Sequence, residues 1–141
     1  MRRINGLIVS IAVGASLIAC TSTSSAPAKV QAVQLEKGKD GQPNRLTLTQ
    51  KASERLGVQL AKIAAAPNQS RTVPTDAIIY DLNGNTWVFV GIAPFTFERR
   101  SVTVTTLKGK TAFLSDSPAL GTEVATVGVA ELYGADQGLG Y

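Results

Sequence analysis

Histidine is absent from this chain of 141 residues, and cysteine occurs once, at Cys20. A zinc or copper site draws on several His or Cys ligands, so none is expected here. A single cysteine rules out an internal disulfide framework. Without an imidazole, no serine can be paired with a histidine base. No Gly-rich phosphate loop is present either: Gly109 and Gly121 do not fall into G-x-x-x-x-G-K, and Lys108 and Lys110 belong to a turn. Charge is also sparse, at 17% of residues with a formal net charge of +4. No basic run marks a groove or stripe, so nucleic acid is not an expected partner. The 44% hydrophobic content is that of a folded domain, and the length suits a single one.

What is present begins with Met1-Arg2-Arg3, a short positive segment, followed by an apolar run from Leu7 to Ile18. The run has the length of a signal-peptide core and is too short for a membrane span. Leu17-Ile18-Ala19-Cys20 ends it. This resembles the lipobox of bacterial lipoproteins, with Leu at −3, a small residue at −1 and Cys at +1. The resemblance implies diacylglycerol on the Cys20 sulfur and cleavage before it, with residues 1–19 as a signal peptide. Membrane lipid then becomes the first expected partner, through the acylated Cys20. The plainer alternative, a buried free cysteine at the end of an apolar run, does not account for the order of the three parts. Arg2 and Arg3 would leave with the leader, reducing the excess of base over acid to +2. Thr21 rather than Asp follows the cysteine, which in a double-membraned cell favours the outer membrane. The expected location is the cell envelope, facing the periplasm or the exterior.

Residues 20–44 are rich in Ser, Thr, Ala, Gly, Lys and Gln and are expected to form the lipidated cysteine and a flexible linker, with at most a short extended piece at Val30–Leu35. Roughly 24 such residues would span about 30 Å root-mean-square. Residues 45–141 form the expected domain. Leu46-Thr47-Leu48-Thr49 alternates like a strand; Thr49 can cap a helix over Gln50–Leu56, and Gly57 can end it. Val58–Ala65 reads as a strand broken by Pro67–Ser70.

Strand signals dominate the rest. Ala77–Tyr80 and Thr86–Val90 flank Asp81-Leu82-Asn83-Gly84-Asn85, and Asn-Gly favours a tight hairpin. Thr86–Val90 is apolar at nearly every position, which predicts cover on both faces. Phe95–Arg99 places apolar residues on odd positions, whereas Val102–Val104 places them on even ones. That change of parity predicts a bulge near Arg99–Ser101. Lys108-Gly109 predicts a turn, and Thr111–Leu114 and Glu123–Val127 two further strands, with a loop marked by Pro118 and Gly121 between them. Gly134–Tyr141 reads as a frayed tail. The expected fold is mostly β: a small single β domain, barrel- or sandwich-like, with one short helix.

An ordered series of short segments resembles the C-terminal, membrane-proximal domain of periplasmic adaptor (membrane fusion) subunits of bacterial efflux pumps. It comprises Val73-Pro74, Ala77, Tyr80-Asp81, Trp87–Val90, Phe97–Arg100, Val102–Val104 and a Gly-x-x-Val-x-x-x-Gly ending at Gly121–Gly128. Leu46–Ala65, with its Gly57-Val58 step, resembles the opening strand segment of the same subunits. In the family a lipoyl-like domain, a helical hairpin and a β-barrel lie between those two parts; here only Ala66–Thr72 separate them. The hairpin that meets the outer-membrane channel is missing, so this chain should not bridge two membranes. What the resemblance implies is a small β domain that sits against an inner-membrane transporter or another envelope protein.

Three constellations invite sharper readings. Trp87 and Phe89 could stack on a ligand, but core packing is the simpler role. Asp76 and Asp81 could form an acid–base pair, but each lies beside a Pro or a turn, where Asp serves local hydrogen bonds. Arg99 and Arg100 are the candidate partner-binding residues, able to meet acidic loops or lipid head groups; the alternative is two solvated strand residues. The expectation is a binding and assembly module without catalytic residues or cofactor, and not an enzyme. The competing expectation is a structural envelope lipoprotein with no transporter partner.

Overall fold

Thr49 opens the first helix as its side chain predicts. Its backbone is extended, and its hydroxyl accepts a hydrogen bond from the Ala52 N–H at 3.1 Å. Helix α1 spans Gln50–Leu56 and ends on Gly57, at φ 60°, where a residue with a Cβ would be strained. The computed structural model describes residues 31–139, so the leader, Cys20 and the proposed cleavage point lie outside the described residues.

Ten strands and two helices follow in chain order. Strands β1 (Val33–Glu36) and β2 (Arg45–Leu48) precede α1. Then come β3 (Gln59–Lys62), β4 (Ala64–Ala65), β5 (Arg71–Pro74), β6 (Ile79–Tyr80), β7 (Thr86–Ala93), β8 (Thr96–Lys108), β9 (Thr111–Asp116) and β10 (Glu123–Val127). Helix α2 (Val129–Asp136) closes the described chain. The fold is mostly β and barrel-like. Its main strand path is β3-β10-β7-β8-β9-β5-β4, with every neighbouring pair antiparallel. The two ends of that path, β3 and β4, are separated only by Ile63, whose N–H donates to Thr122 O and whose carbonyl accepts from Gly121 N, both at 2.9 Å. One bent segment, residues 59–65, thus stands at both edges of the sheet and nearly closes it.

Two cores result, one on each side of β7 and β8. The inner core holds Ile63, Val73, Val88, Val102, Leu114 and Val124. The outer core sets Phe89 and Phe97 against Leu46 and Leu48 of β2, Ala52 of α1 and Leu132 of α2. This explains the continuous apolar run at Thr86–Val90: Val88 and Val90 face inward, Phe89 outward, and all three are buried.

The same arrangement corrects the expected bulge near Arg99–Ser101. The β7–β8 register runs unbroken from Thr86↔Val102 to Gly91↔Phe97. Parity changes because Phe97 belongs to the outer core and Val102 to the inner one; the strand keeps its pleat and trades one covered face for the other. The register shifts of β8 fall elsewhere, at Gly91/Ala93 against β7 and around Val104 against β9.

Two further expectations are revised. Residues 33–36, assigned to the linker, form β1 and pair with β2 from Val33↔Leu48 to Glu36↔Arg45, so the paired structure starts a dozen residues before Arg45. The extended piece foreseen around Val30–Leu35 is that strand. The glycine-containing tail from Gly134, expected to fray, holds the last three residues of α2, with Gly134, Ala135 and Asp136 all buried, and the domain has two α-helices rather than one. The hairpin at Asn83-Gly84 forms as expected: Ile79↔Trp87 and Tyr80↔Thr86 pair across it, and Gly84 takes φ 81°. No described helix is long and apolar enough to cross a membrane.

Candidate functional site

β8 carries Arg99 and Arg100 side by side, and the pleat sends them to opposite faces. Arg99 shares the outer face with Phe89, its β7 partner. Its guanidinium lies 4.5 Å from the centre of the Trp87 ring and 6.0 Å from that of Tyr133. Its Nε is 3.2 Å from Asp136 Oδ2, a carboxylate with 1% of its side chain exposed, and the arginine side chain is itself only 24% exposed. Asp136 also accepts from Asn44 Nδ2 at 3.1 Å and Gln137 Nε2 at 3.0 Å. Arg99 is therefore a latch that holds α2 to the sheet. It is neither beside a bulge nor solvated.

Arg100 faces the other way. Its NH2 is 2.7 Å from Glu98 Oε2, and Arg45 NH2 is 3.1 Å from Glu98 Oε1. Arg45 reaches Glu36 as well, at 4.0 Å. Three arginines thus meet three carboxylates across β1, β2, β8 and α2, and the local charge is balanced within the fold. Arg100, with 48% of its side chain exposed, keeps the more open cationic surface of the two. The candidate partner contact narrows to Arg100.

Asp81 shows what an isolated carboxylate does in this fold. Its Oδ1 accepts from the Asn83 and Asn85 N–H groups at 2.8 and 2.9 Å, and its Oδ2 from Asn85 Nδ2 and Trp87 Nε1, both at 3.0 Å. The Asn85 side-chain bond above all, helped by those from Trp87 and the backbone, holds its pKa down at about 2. An acid so well stabilised as the anion is a poor proton donor near neutrality. Asp76 stays exposed in the short turn at Thr75–Ala77. Trp87 and Phe89 pack in and against the outer core. Among the described residues no cluster of His, Cys, Asp or Glu could hold a metal ion.

Two surface features escaped the sequence reading. A small apolar recess of about 210 Å³ lies between β1, α1 and α2, lined by Val33, Leu48, Ala52, Leu56 and Leu132, with Arg55 and Glu131 on it as well. A wider open groove of about 500 Å³ runs past Leu60 and the β7–β8 turn. Both depend on β1 or on the turn at Pro94-Phe95, and neither was legible as a surface in one dimension. Comparisons with protein-family models, with curated proteins and with solved structures return no match to this chain.

Proposed function

We propose that this chain is a lipid-anchored, extracytoplasmic binding and assembly module, held to a membrane through Cys20, that docks on a membrane transporter complex of the efflux type. The observation that carries the reading is the order of parts in the sequence: a charged start, an apolar run, Leu17–Cys20, and then a β domain after a polar stretch. Two supports accompany it. The domain is mostly β and barrel-like. The adaptor-like segments Val73-Pro74, Trp87–Val90, Phe97–Arg100 and Glu123–Val127 lie on β5, β7, β8 and β10, which share one sheet. The module has no catalytic role in this reading, and its partner is a protein of the envelope.

One observation favours the alternative, a structural envelope lipoprotein without a transporter. The cations expected to meet a partner, Arg99 and Arg100, are matched by Asp136 and Glu98 of the domain itself. Cross-linking in whole cells separates the two readings. The module reading expects one membrane protein captured at near-stoichiometric yield, with weaker capture by Arg100→Glu. Absence of any captured membrane protein replaces the module with the structural lipoprotein. Undiminished capture by Arg100→Glu retains the module and removes Arg100 from its contact surface.

A further inference from the structure

The β7–β8 hairpin ends in a turn that breaks local rules at two points. Gly91 pairs with Phe97 and Ala93 with Thr96, so β7 advances two residues while β8 advances one, and Ile92 is the extra residue of a bulge. Such a bulge re-aims a side chain, and Ile92 is left 41% exposed. Pro94 and Phe95 then form the tip. Phe95 takes φ 57°, the left-handed region that a bulky side chain avoids and that glycine or asparagine would occupy without strain. Phe95 as a whole is 40% exposed, and Leu60, beside Gly91, is 45% exposed. The turn is firmly held all the same: the Phe95 carbonyl accepts from Leu48 N–H at 2.8 Å, and Thr96 Oγ1 donates to the Pro94 carbonyl at 3.1 Å. A strained, clamped turn that shows Ile92, Pro94 and Phe95 to the outside is costly for the fold alone.

Its position names the occupant. Across β2 from Phe95, the Thr49 N–H donates to the Ala32 carbonyl at 3.0 Å. Ala32 and Phe95 therefore flank the same strand, two strand spacings or about 10 Å apart. β1 runs away from the turn, so the chain preceding Val33 leaves the domain at the turn end. From Cys20 to Ala32 there are twelve peptide steps, which reach at most about 43 Å. An acyl anchor on Cys20 would hold this end of the barrel towards the bilayer. We infer that the Ile92–Phe95 turn is a shallow membrane contact whose ligand is the phospholipid surface in which the chain's own anchor is embedded. The inference rests on the lipid-anchor part of the proposed function.

The test uses the full-length chain as the cell processes it, reconstituted in phosphatidylcholine–phosphatidylglycerol vesicles. An environment-sensitive fluorophore is placed on Ile92→Cys, and in a second sample on Lys110→Cys, in the turn at the far end of β8. Lipids carrying a nitroxide near the head group should quench the label at position 92 about fivefold more than the label at 110, since a shallow contact sits within the first several ångströms of the interface. Adding Phe95→Asn should cut the quenching at 92 by about threefold while the melting temperature holds or rises, because Asn accepts the positive φ. A purely structural Phe95 would instead lose stability and leave quenching unchanged, which overturns the inference. The intact mass of the same sample separates the two layers of argument. Without acyl chains, the anchor reading falls and the inference with it. With acyl chains and equal quenching at 92 and 110, the anchor stands and the membrane contact alone is wrong. A label at 92 that is shielded in native membranes but not quenched in pure lipid vesicles overturns the lipid contact in favour of a protein one.

Discussion

Arg99 joins an aromatic face to a buried carboxylate, and that pairing sets a sharp contrast with its neighbour. Removing the guanidinium leaves Asp136 desolvated without its cation, so Arg99→Ala should destabilise the domain by about 3 kcal/mol. Arg100→Ala, which breaks a half-exposed pair, should cost under about 1 kcal/mol. Urea denaturation of the two variants decides the matter; equal costs would mean that Arg99 is not a latch. The sequence alone puts both arginines on a solvated edge, and a combined Arg99/Arg100 charge reversal would then cost little. With Asp136 buried against Arg99, that double change would instead face one carboxylate with another, so only Arg100 is a clean probe of a partner surface. Asp81 gives a prediction in pH. Its folded pKa of about 2 lies below the ordinary 3.8, so the stability it contributes is fully present above that ordinary value and is lost as pH falls towards 2. Asp81→Asn should be less stable than the parent at pH 7, and the difference should shrink between about pH 4 and pH 2. Thermal melts across that range report it, and a constant difference would exclude the carboxylate as the cause. Phe95 adds a third contrast: exchange for Asn should relieve strain on the order of 1 kcal/mol.

At the scale of elements, α2 is the piece that depends most on distant residues. Gly134 lies within it, and polar Gln137 and Gly138 follow, so local propensity argues against a helix there. Packing overrides propensity. Leu132 is fully buried in the outer core, and Asp136 is held by Arg99 from 37 positions earlier in the chain. Leu132→Ala should therefore cost about 3 kcal/mol, as for other large-to-small changes in a core. Gly128→Ala should destabilise as well, because Gly128 starts the helix at φ 79° and an added Cβ would stand 3.1 Å from Val58 Cγ2. Differential scanning calorimetry of both variants checks this, and parental melting temperatures would show that α2 is not integral to the fold. The elements legible in sequence were those with local causes. α1 has its Thr49 cap and Gly57 stop, the β6–β7 hairpin has Asn83-Gly84, and β10 has its short Val-rich run between Gly121 and Gly128. β1 was obscured because Val33 and Leu35 become a strand only through pairing with Leu48 and Leu46. The internal role of Arg99 was obscured for the same reason: its partner belongs to an element that had no sequence signal of its own.

For the molecule as a whole, the decisive feature is the segment 59–65, which serves both edges of the sheet. Ile63 at its centre is 2% exposed, so Ile63→Ala should weaken the entire barrel by about 3 kcal/mol. Leu82→Ala, at a fully exposed turn position, should change stability by less than about 0.5 kcal/mol. A single cooperative transition shifted by the first and untouched by the second is the expected outcome in urea. The barrel's order of assembly follows from the same segment. Half of its pairing, Ala64↔Thr72, can form as soon as residue 72 is available, but the other half, Lys62↔Glu123, must wait for a strand some sixty residues later. Closing so long a loop is slow, and it cannot begin until the far strand exists in the same compartment. A chain threaded through a membrane from its N-terminus would thus remain an open sheet, with the Gln59–Lys62 edge unpaired, until Val127 had crossed. In a chain exported as the proposed function has it, the topology would keep the polypeptide from locking shut before its last strand arrives and would leave it, during that interval, exposed to whatever holds unfolded chains there.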